Sequence, residues 1–256
     1  MDVEGKAAIV TGGGTGVGRA TALKLASMGC SVLVNYSKSR DDAEATAEEI
    51  RKHGVTGLAV QADVAEDAQC RDMVAAAEKA FGRLDLLVNN AGTTVFVQHS
   101  DLEGIDIGDW QKILGVNLIG AFQCARAARD LLEASGNAHI VNTSSVAGVG
   151  GVGSSIPYCA SKAALNNLTV TLARVLAPKI KVNAVAPGFI TGKWLQEGMG
   201  DAYDAVQEFA AARSTLQKVC TPEEIADAIV GIATGPDLLT GQVLVTDSGL
   251  LLGTGT

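Results

Sequence analysis

The sequence is poor in aromatic and charged residues and has no long apolar run. Aromatic residues make up 4% and charged residues 19% of the 256 positions. No uninterrupted apolar stretch approaches the roughly 20 residues of a membrane-spanning helix, so we expect no membrane association. The N-terminal residues, MDVEGKAAIV, also lack the basic and apolar regions of a secretory signal. With 47% hydrophobic residues and 30 glycines, the composition predicts a compact globular protein with many tight turns.

Basic residues are outnumbered by acidic ones. The chain has 20 lysines and arginines against 28 aspartates and glutamates, which gives a formal net charge of −8. Such a surface repels nucleic acid and anionic membranes, so we expect neither as a partner. The same charge disfavours docking of a strongly acidic protein.

The cysteines show no pairing pattern. They are odd in number, scattered, and without C-x-x-C or other metal-ligand spacing: Cys30, Cys70, Cys124, Cys159 and Cys220. Free thiols in a reducing compartment explain them best, which predicts a cytoplasmic protein. The carboxylates and histidines form no ligand cluster either, so no metal site is expected.

Short apolar runs alternate with helix-forming segments along the whole chain. This alternation predicts an α/β fold with a doubly wound parallel sheet, as one domain spanning residues 1–256. Strands are predicted at 6–11, 31–36, 56–61, 84–88, 139–143, 181–186 and 242–246. Helices are predicted at 19–28, 41–53, 66–82, 110–132, 157–176 and 221–233.

The first predicted strand breaks into a glycine-rich loop that leads directly into a helix. Glycines permit positive φ and close backbone approach, and a helix N-terminus offers free N–H groups to a pyrophosphate. A tight strand-to-helix turn without a ligand is the alternative, but the flanking pattern favours a dinucleotide site. The residues assigned to it are Gly12, Thr15, Gly16, Val17 and Gly18.

The end of the second strand predicts which dinucleotide binds. NAD-specific sites place an acidic residue there, whereas this chain reads Asn-Tyr-Ser-Lys-Ser-Arg from Asn35 and has no carboxylate before Asp41. Hydroxyls and two cations, Lys38 and Arg40, suit the 2′-phosphate of NADP(H) better than free ribose hydroxyls. The alternative is that both cations are ordinary solvated charges. We favour NADP(H) over NAD(H) and assign Asn35, Tyr36 and Ser37 to the cofactor site.

The stretch from Ser145 to Lys162 carries the predicted chemistry. Tyr158 and Lys162 have i,i+4 spacing, which stacks them on one helix face, and Ser145 lies thirteen residues before the tyrosine. A nearby ammonium favours the phenolate and is expected to lower the pKa of Tyr158. Ser145 can then hold a carbonyl or alcohol oxygen beside the phenol. Ser144 points to the opposite face if the strand continues, so Ser145 is preferred.

Three further residues are weaker candidates for a role in the site. His99 lies in a segment that could face the cleft, although a surface position is favoured. Cys159 adjoins the tyrosine but is turned about 100° away on the helix, so we interpret it as structural. His139 is interpreted as a strand-start residue.

Together these residues resemble the short-chain dehydrogenase/reductase family, of the type about 250 residues long. The resemblance implies a Rossmann-type sheet of seven parallel strands in a three-layer α/β/α sandwich, and a homotetramer built on the two long helices and the C-terminal segment. Its motifs are Thr11-Gly12-x-x-x-Gly16-x-Gly18, Asp63, Asn89-Asn90-Ala91-Gly92, Asn117, Ser145, Tyr158-x-x-x-Lys162 and Pro187-Gly188-x-x-Thr191.

The resemblance also implies roles for single residues. Tyr158 is the acid/base, Lys162 binds the nicotinamide ribose, and Ser145 orients the substrate oxygen. Asn117 holds a water molecule in a proton relay; from the residues alone, we expect only that an asparagine in an apolar helix finds a hydrogen-bond partner. The resemblance places Asp63, together with Val64, at the adenine. It implies further cofactor contacts from Asn90, Ala91 and Gly92, and it places Pro187, Gly188, Ile190 and Thr191 at the nicotinamide.

The substrate is predicted as a small to medium, partly apolar carbonyl compound, free or as an acyl thioester. The sequence is similar to 3-oxoacyl-(acyl-carrier-protein) reductases in its glycine loop, its VAPGFITG run and its LTGQ segment, and equally to sugar, alcohol and steroid dehydrogenases, including glucose dehydrogenases. Residues 132–139 lack the basic side chains expected for docking an acidic carrier. The segment 93–109 is about three residues longer than usual for the family, and a substrate lid is expected at 190–215. A non-catalytic cofactor-binding regulator is the alternative of another class.

Overall fold

The computed structural model describes residues 1–253, so the end of the predicted domain, residues 254–256, lies outside the described residues. Seven strands form one sheet in the order β3-β2-β1-β4-β5-β6-β7, and each pairs in parallel with its neighbours. They are β1 (Ala7–Val10), β2 (Ser31–Tyr36), β3 (Gly57–Gln61), β4 (Leu86–Asn89), β5 (Ala138–Thr143), β6 (Ile180–Pro187) and β7 (Val243–Thr246).

The helices cover both faces of this sheet. In chain order they are α1 (Gly16–Ser27), α2 (Arg40–Arg51), α3 (Asp67–Phe81), α4 (Ile107–Leu114), α5 (Ala121–Ser135), α6 (Ala147–Gly150), α7 (Ile156–Leu176), α8 (Lys193–Met199), α9 (Tyr203–Arg213) and α10 (Pro222–Thr234). Two apolar cores follow, one per face. Val10 and Val88 belong to the core that the sheet forms with α1 and α10 on one face. Their neighbours Ile9 and Leu87 belong to the core that the sheet forms with α3 and α5 on the other face. The predicted three-layer Rossmann-type fold is confirmed.

The central strands are buried on both sides, which explains their continuous apolar sequences. All four residues of β1 and all four of β4 are buried. Parallel sheets covered by helices on both faces have this pattern. The predicted strands are therefore found within about two residues of their expected bounds.

The order of the strands creates a crevice between β1 and β4. The chain runs outward from β1 to β3 on one side, then crosses back to β4 and continues to β7 on the other. The carboxyl ends of β1 and β4 therefore lie side by side, with Val10 opposite Val88. Ligands of open α/β sheets bind at such a switch point.

The helix predicted at 110–132 differs from the expectation. It begins at Ile107, where Asp106 and Asp109 form a capping box, and it is interrupted by a π-helical turn over Gly115–Gly120. Close packing requires glycine at the end of this turn, because a Cβ on Gly120 would lie 2.7 Å from the Val64 side chain. In the described part of the chain, no helix is long and apolar enough to cross a membrane.

Candidate active site

The glycine loop is fixed against the end of β4. The φ angles of Gly12 and Gly16 are +61° and +51°, so both lie in the left-handed region that favours glycine. The Asn90 side chain donates to the carbonyls of Thr11 and Gly12 at 3.0 and 3.2 Å. The Thr11 hydroxyl accepts from the backbone of Asn90 and Ala91. These contacts join the predicted loop and the Asn-Asn-Ala-Gly motif into one unit.

A cleft of about 430 Å³ opens above this unit. Its volume lies in the range of small-molecule sites. Nine of the predicted cofactor residues line it: Gly12, Thr15, Asn35, Tyr36, Ser37, Asp63, Val64, Ala91 and Gly92. The structure therefore brings together the ends of β1, β2, β3 and β4, as the sequence predicts.

A second group of residues that lines the cleft was not predicted from the sequence. Gln111, Lys112, Gly115 and Val116, on α4 and the π-turn, line it together with Thr93. Their i, i+1, i+4, i+5 spacing marks one helix face, a signal that was available in the sequence. The further lining residues are Gly14, Lys38, Ser39, Ala62 and Ala65.

The end of β2 provides one cation to the cleft rather than two. Ser37, Lys38 and Ser39 line the cleft, whereas Arg40 begins α2, is exposed, and is not among the lining residues. Of the two cations, the structure therefore places only Lys38 in the wall of the cleft, while Arg40 lies exposed at the start of α2. Hydroxyls and one lysine remain at this end of the cleft.

Asn35 has a positioning role that the sequence did not indicate. It is 2% exposed; its Oδ1 accepts from Gly12 N at 3.3 Å, and its Nδ2 donates to Ala62 O at 2.9 Å. The side chain thus connects the glycine loop to the end of β3. Asp63 is held in a similar way, with Oδ1 accepting from Ala65 N at 3.0 Å.

Tyr158 and Lys162 lie one turn apart near the start of α7. This helix is capped by Ser155, whose hydroxyl accepts from Tyr158 N, and it has Pro157 in its first turn. The Lys162 Nζ lies 5.6 Å from the centroid of the Tyr158 ring and donates to Thr143 O at 2.7 Å. The lysine is 3% exposed, and the tyrosine is half-buried.

Burial determines the protonation of both groups. Desolvation raises the pKa of Tyr158 to about 12, although the neighbouring Ser145 hydroxyl acts in the opposite direction. Desolvation lowers the pKa of Lys162 to about 8. The pKa of the tyrosine is therefore raised, contrary to the expected lowering, because burial of the phenol outweighs the other influences on it. At neutral pH the phenol is protonated and the lysine is mostly charged.

The two serines have different surroundings, as the strand geometry predicts. Ser144 is 3% exposed, and its hydroxyl donates to Asn166 Oδ1 at 2.5 Å. Ser145 is half-buried, accepts from Ala147 N at 3.1 Å, and lies close enough to Tyr158 to lower the pKa of the phenol. Only Ser145 is thus placed beside the tyrosine.

Asn117 finds the partners that the sequence requires. It lies in the π-turn and is 1% exposed. Its Nδ2 donates to Thr93 O and Ser161 Oγ, both at 3.0 Å, and its Oδ1 accepts from Thr93 N at 2.8 Å. Both amide hydrogens are therefore used within the protein. The residue connects the π-turn, the loop after β4 and α7.

The segment after β6 is fixed beside Ser145. Val146 N donates to Pro187 O at 2.9 Å, and Thr191 N donates to Cys220 O at 2.9 Å. A Cβ on Gly188 would lie 2.8 Å from Asp247, so the close approach of these segments requires glycine. Pro187 ends the strand next to the one that leads to Ser145, and Gly188, Ile190 and Thr191 follow it.

The remaining candidates lie outside the Ser-Tyr-Lys group. His99 is half-buried, with Nε2 at 3.9 Å from Cys159 Sγ, rather than on the open surface. Cys159 is 9% exposed, and burial raises its pKa, which agrees with a structural role. His139 is 1% exposed within β5. Among residues 1–253, no cluster of three metal-ligating side chains is found.

A glycine loop at a topological switch point, followed by a Ser-Tyr-Lys group on the neighbouring elements, defines the class of dinucleotide-dependent dehydrogenases. The chain belongs to the short-chain dehydrogenase family, whose family model matches residues 6–199. It is therefore an oxidoreductase, not the non-catalytic regulator considered above.

Similar proteins cover the chain almost completely. A protein named as ketoacyl reductase 2 of the granaticin polyketide synthase, from Streptomyces violaceoruber, is 40% identical over 246 residues, 96% of each chain. A 3-oxoacyl-(acyl-carrier-protein) reductase of Synechocystis is 37% identical over 248 residues, 96% of each chain. A solved structure from Burkholderia xenovorans, named as a short-chain dehydrogenase/reductase, has a TM-score of 0.90, 38% identity, and coverage of 97% of this chain and 98% of its own.

The glycine loop at the edge of the cleft fits the NAD(P) cofactor that this family binds. A Cβ on Gly18 would collide with the carbonyl of Gly12, so the loop packs directly on the start of α1. By contrast, a Cβ on Gly16 would meet no atom within 4 Å, so the backbone there is open to an approaching ligand. Open backbone at a helix N-terminus suits a pyrophosphate.

Proposed function

We propose that this protein is an NADP(H)-dependent reductase of 3-oxoacyl thioesters, using Tyr158 as the proton donor. The single observation that carries the proposal is the Ser145–Tyr158–Lys162 group beside the dinucleotide cleft: a Cβ on Gly92, which lines the cleft, would lie 3.7 Å from Lys162 Nζ. The names of the similar proteins, a ketoacyl reductase and 3-oxoacyl-(acyl-carrier-protein) reductases, support the substrate class. Sugar, alcohol or steroid carbonyls are the second candidate, and the charge of the surface favours them over a carrier-bound substrate.

Each residue of the site has a separate role in the proposed carbonyl reduction. Ser145 holds the carbonyl oxygen, and Tyr158, protonated at neutral pH, donates its proton as negative charge develops on that oxygen. Lys162, charged and only 3% exposed, holds the ribose of the cofactor and supplies positive charge near the phenol ring. Asn117 fixes the π-turn beside this group and is proposed to take part in the relay that restores the proton. The nicotinamide, when bound, supplies the hydride for the carbonyl carbon.

The preference for NADP(H) rests on Lys38 and its neighbours. The 2′-phosphate is a dianion that takes hydrogen bonds from hydroxyls and charge from a cation. Ser37, Lys38 and Ser39 provide both at the end of β2. Asp63, the carboxylate that lines the same cleft, follows the neighbouring strand β3 and is held by its own turn.

The cations near residues 132–139, the segment expected to dock an acyl carrier, are paired with carboxylates. On α5, Arg126 pairs with Asp67 at 2.6 Å, and Arg129 pairs with Glu133 at 2.7 Å. Lys179 lies 3.5 Å from the same Glu133. Paired cations steer an acidic partner weakly. We therefore propose free acyl thioesters, such as coenzyme A derivatives, as better substrates than carrier-bound ones.

The proposal is tested by NADPH oxidation with acetoacetyl-CoA and with acetoacetyl-carrier protein. We expect turnover of both, with higher kcat/KM for the coenzyme A thioester, and slower turnover with NADH. Lys38→Ala is expected to raise the KM for NADPH about tenfold and to leave that for NADH unchanged. Lys52→Ala, at the end of α2, is the matched control. NADPH binding without turnover of either thioester would contradict the proposed substrate class.

The protein is also proposed to be a cytoplasmic homotetramer. All five cysteines are free and buried, as in a reducing compartment. Large apolar side chains are exposed on α7, on β7 and on the helical segment of the π-turn and α5. They include Ile119, Phe122, Val170, Val175, Leu244 and Val245. Exposed apolar patches of this kind are typical of subunit interfaces.

A further inference from the structure

Three aromatic rings follow one another from α7 across the site to the loop after β4. The Trp194 ring on α8 lies 6.4 Å from the Tyr158 ring, with an angle of 49° between their planes. The Phe96 ring lies 6.2 Å from the same Trp194 ring at 63°, an edge-to-face arrangement. Trp194 is 50% exposed, so half of a large apolar side chain stays uncovered beside the proposed proton donor. Aromatic pairs at these distances attract each other beyond the burial of their area.

The loop carrying Phe96 is fixed to the segment that contains Ser145 and Tyr158. Val97 N donates to Ser154 O at 3.0 Å, and the hydroxyls of Thr94 and Ser154 are 2.7 Å apart. The residues on both sides of Phe96 are thus hydrogen-bonded to Ser154, four residues before Tyr158. This loop belongs to the segment that the sequence identifies as longer than usual for the family.

Trp194 is held by a different kind of contact. The helix α8 that carries it has no buried side chain and is flanked by Gly192 (φ +143°) and Gly200 (φ +54°). The Phe96 ring lies against the bare backbone at Gly198, where a Cβ would overlap the ring. The aromatic contact and this glycine surface connect α8 to the loop. Few packing contacts and glycine flanks are typical of a segment that opens and closes.

The composition of this surface indicates what it binds. The charged residues of α8, Lys193 and Glu197, are exposed and lie 3.6 Å apart in a pair of their own. The side chain of α8 beside Tyr158 is therefore the indole of Trp194, and the adjoining loop adds the phenyl ring of Phe96. A flat conjugated group stacked on the indole would lie 4.5–7 Å away, next to a carbonyl held at Tyr158.

We propose that Phe96 and Trp194 form an aromatic wall, which makes the site selective for 3-oxo substrates with an aryl or other flat conjugated group beside the reacting carbonyl. This inference rests on the proposed function and names its substrate class. A flexible alkyl chain gains less from such a wall, because it cannot stack on the rings and loses rotamer freedom on binding.

Kinetics with two substrates of equal carbon number test the selectivity. The substrates are the 3-oxo-3-phenylpropanoyl and 3-oxononanoyl thioesters of N-acetylcysteamine. The wild type is expected to favour the aryl compound about tenfold in kcat/KM, equivalent to about 1.4 kcal/mol. Trp194→Leu and Phe96→Leu should each abolish that ratio mainly by lowering kcat/KM for the aryl compound. A control, Phe209→Leu on the exposed face of α9, should keep the ratio. Equal losses on both substrates, or no preference in the wild type, would overturn the proposal.

Fluorescence provides a readout that does not need turnover. The chain has two tryptophans, so Trp110→Phe leaves Trp194 as the single reporter. Saturable quenching of Trp194 by the aryl thioester at concentrations at which the alkyl thioester has little effect supports the wall; equal or absent quenching contradicts it. If neither thioester is reduced by the wild type, the proposed function fails, and this titration alone decides the inference.

Discussion

The protonation of single residues depends on how deeply they are buried, which spacing in the sequence does not show. The i,i+4 pair of Tyr158 and Lys162 predicts a shared helix face, and the structure has it. The pKa shifts follow from desolvation and run opposite to the expectation for the tyrosine. A phenol whose pKa is raised is a proton donor over the whole neutral range.

His139 is the clearest case of a buried group without a partner. It is 1% exposed, and within the described chain neither ring nitrogen has a hydrogen-bond partner. Burial, helped by Lys181 on the neighbouring strand, lowers its pKa to about 4. In the unfolded chain the imidazole has a pKa near 6.5 and binds a proton more readily.

We therefore predict that acid destabilises the fold through His139. Its contribution is fully present above about pH 6.5 and is lost as the pH falls toward 4, by up to about 3 kcal/mol. His139→Leu should flatten the dependence of the free energy of unfolding on pH in this window, measured by urea denaturation. His53→Leu, at the end of α2, is the control. An unchanged slope in His139→Leu would show that other groups cause the acid sensitivity.

At the scale of elements, the sequence predicted more of the strands than of the site's surroundings. Continuous apolar runs such as β4 mark buried parallel strands, and Thr221, Pro222 and Glu224 mark the start of α10, where the capping box is found. The π-turn could not be predicted, because it depends on the packing of Gly120 against Val64 rather than on local propensity. The contact between Phe96 and α8 could not be predicted either, because it depends on the packing of segments about a hundred residues apart.

The contact at Gly198 gives a prediction about α8. In Gly198→Ala the new methyl group overlaps the Phe96 ring, so α8 is expected to detach from the loop. Trypsin should then cleave after Lys193 or Arg213 about tenfold faster, because detachment raises the population of the open state. Adding Phe96→Ala should remove most of this effect, since the methyl group then has space.

Gly231→Ala, within α10, is the matched glycine-to-alanine control, because its Cβ would meet no atom within 4 Å and alanine favours helix. Cleavage that is equally fast in Gly198→Ala and in the wild type would show that the ring does not hold α8.

At the scale of the whole molecule, the exposed apolar side chains predict assembly. Ile119 and Phe122 on the helix through the π-turn, and Val170 and Val175 on α7, are each at least 40% exposed. Light scattering should give four times the chain mass of 26.1 kDa. Val170→Asp should yield smaller species, because burying an unpaired carboxylate in an apolar interface is costly. A monomeric wild type would contradict this prediction.

The central claim is that Tyr158 donates the proton at a site that binds NADP(H) independently of it. The most direct measurement is the turnover of Tyr158→Phe with acetoacetyl-CoA, beside the dissociation constant for NADPH from fluorescence. We predict that kcat falls by a factor of about 10² to 10⁴, the typical contribution of general acid catalysis, while NADPH binding changes less than about threefold. Turnover retained within a few-fold of the wild type would contradict the account.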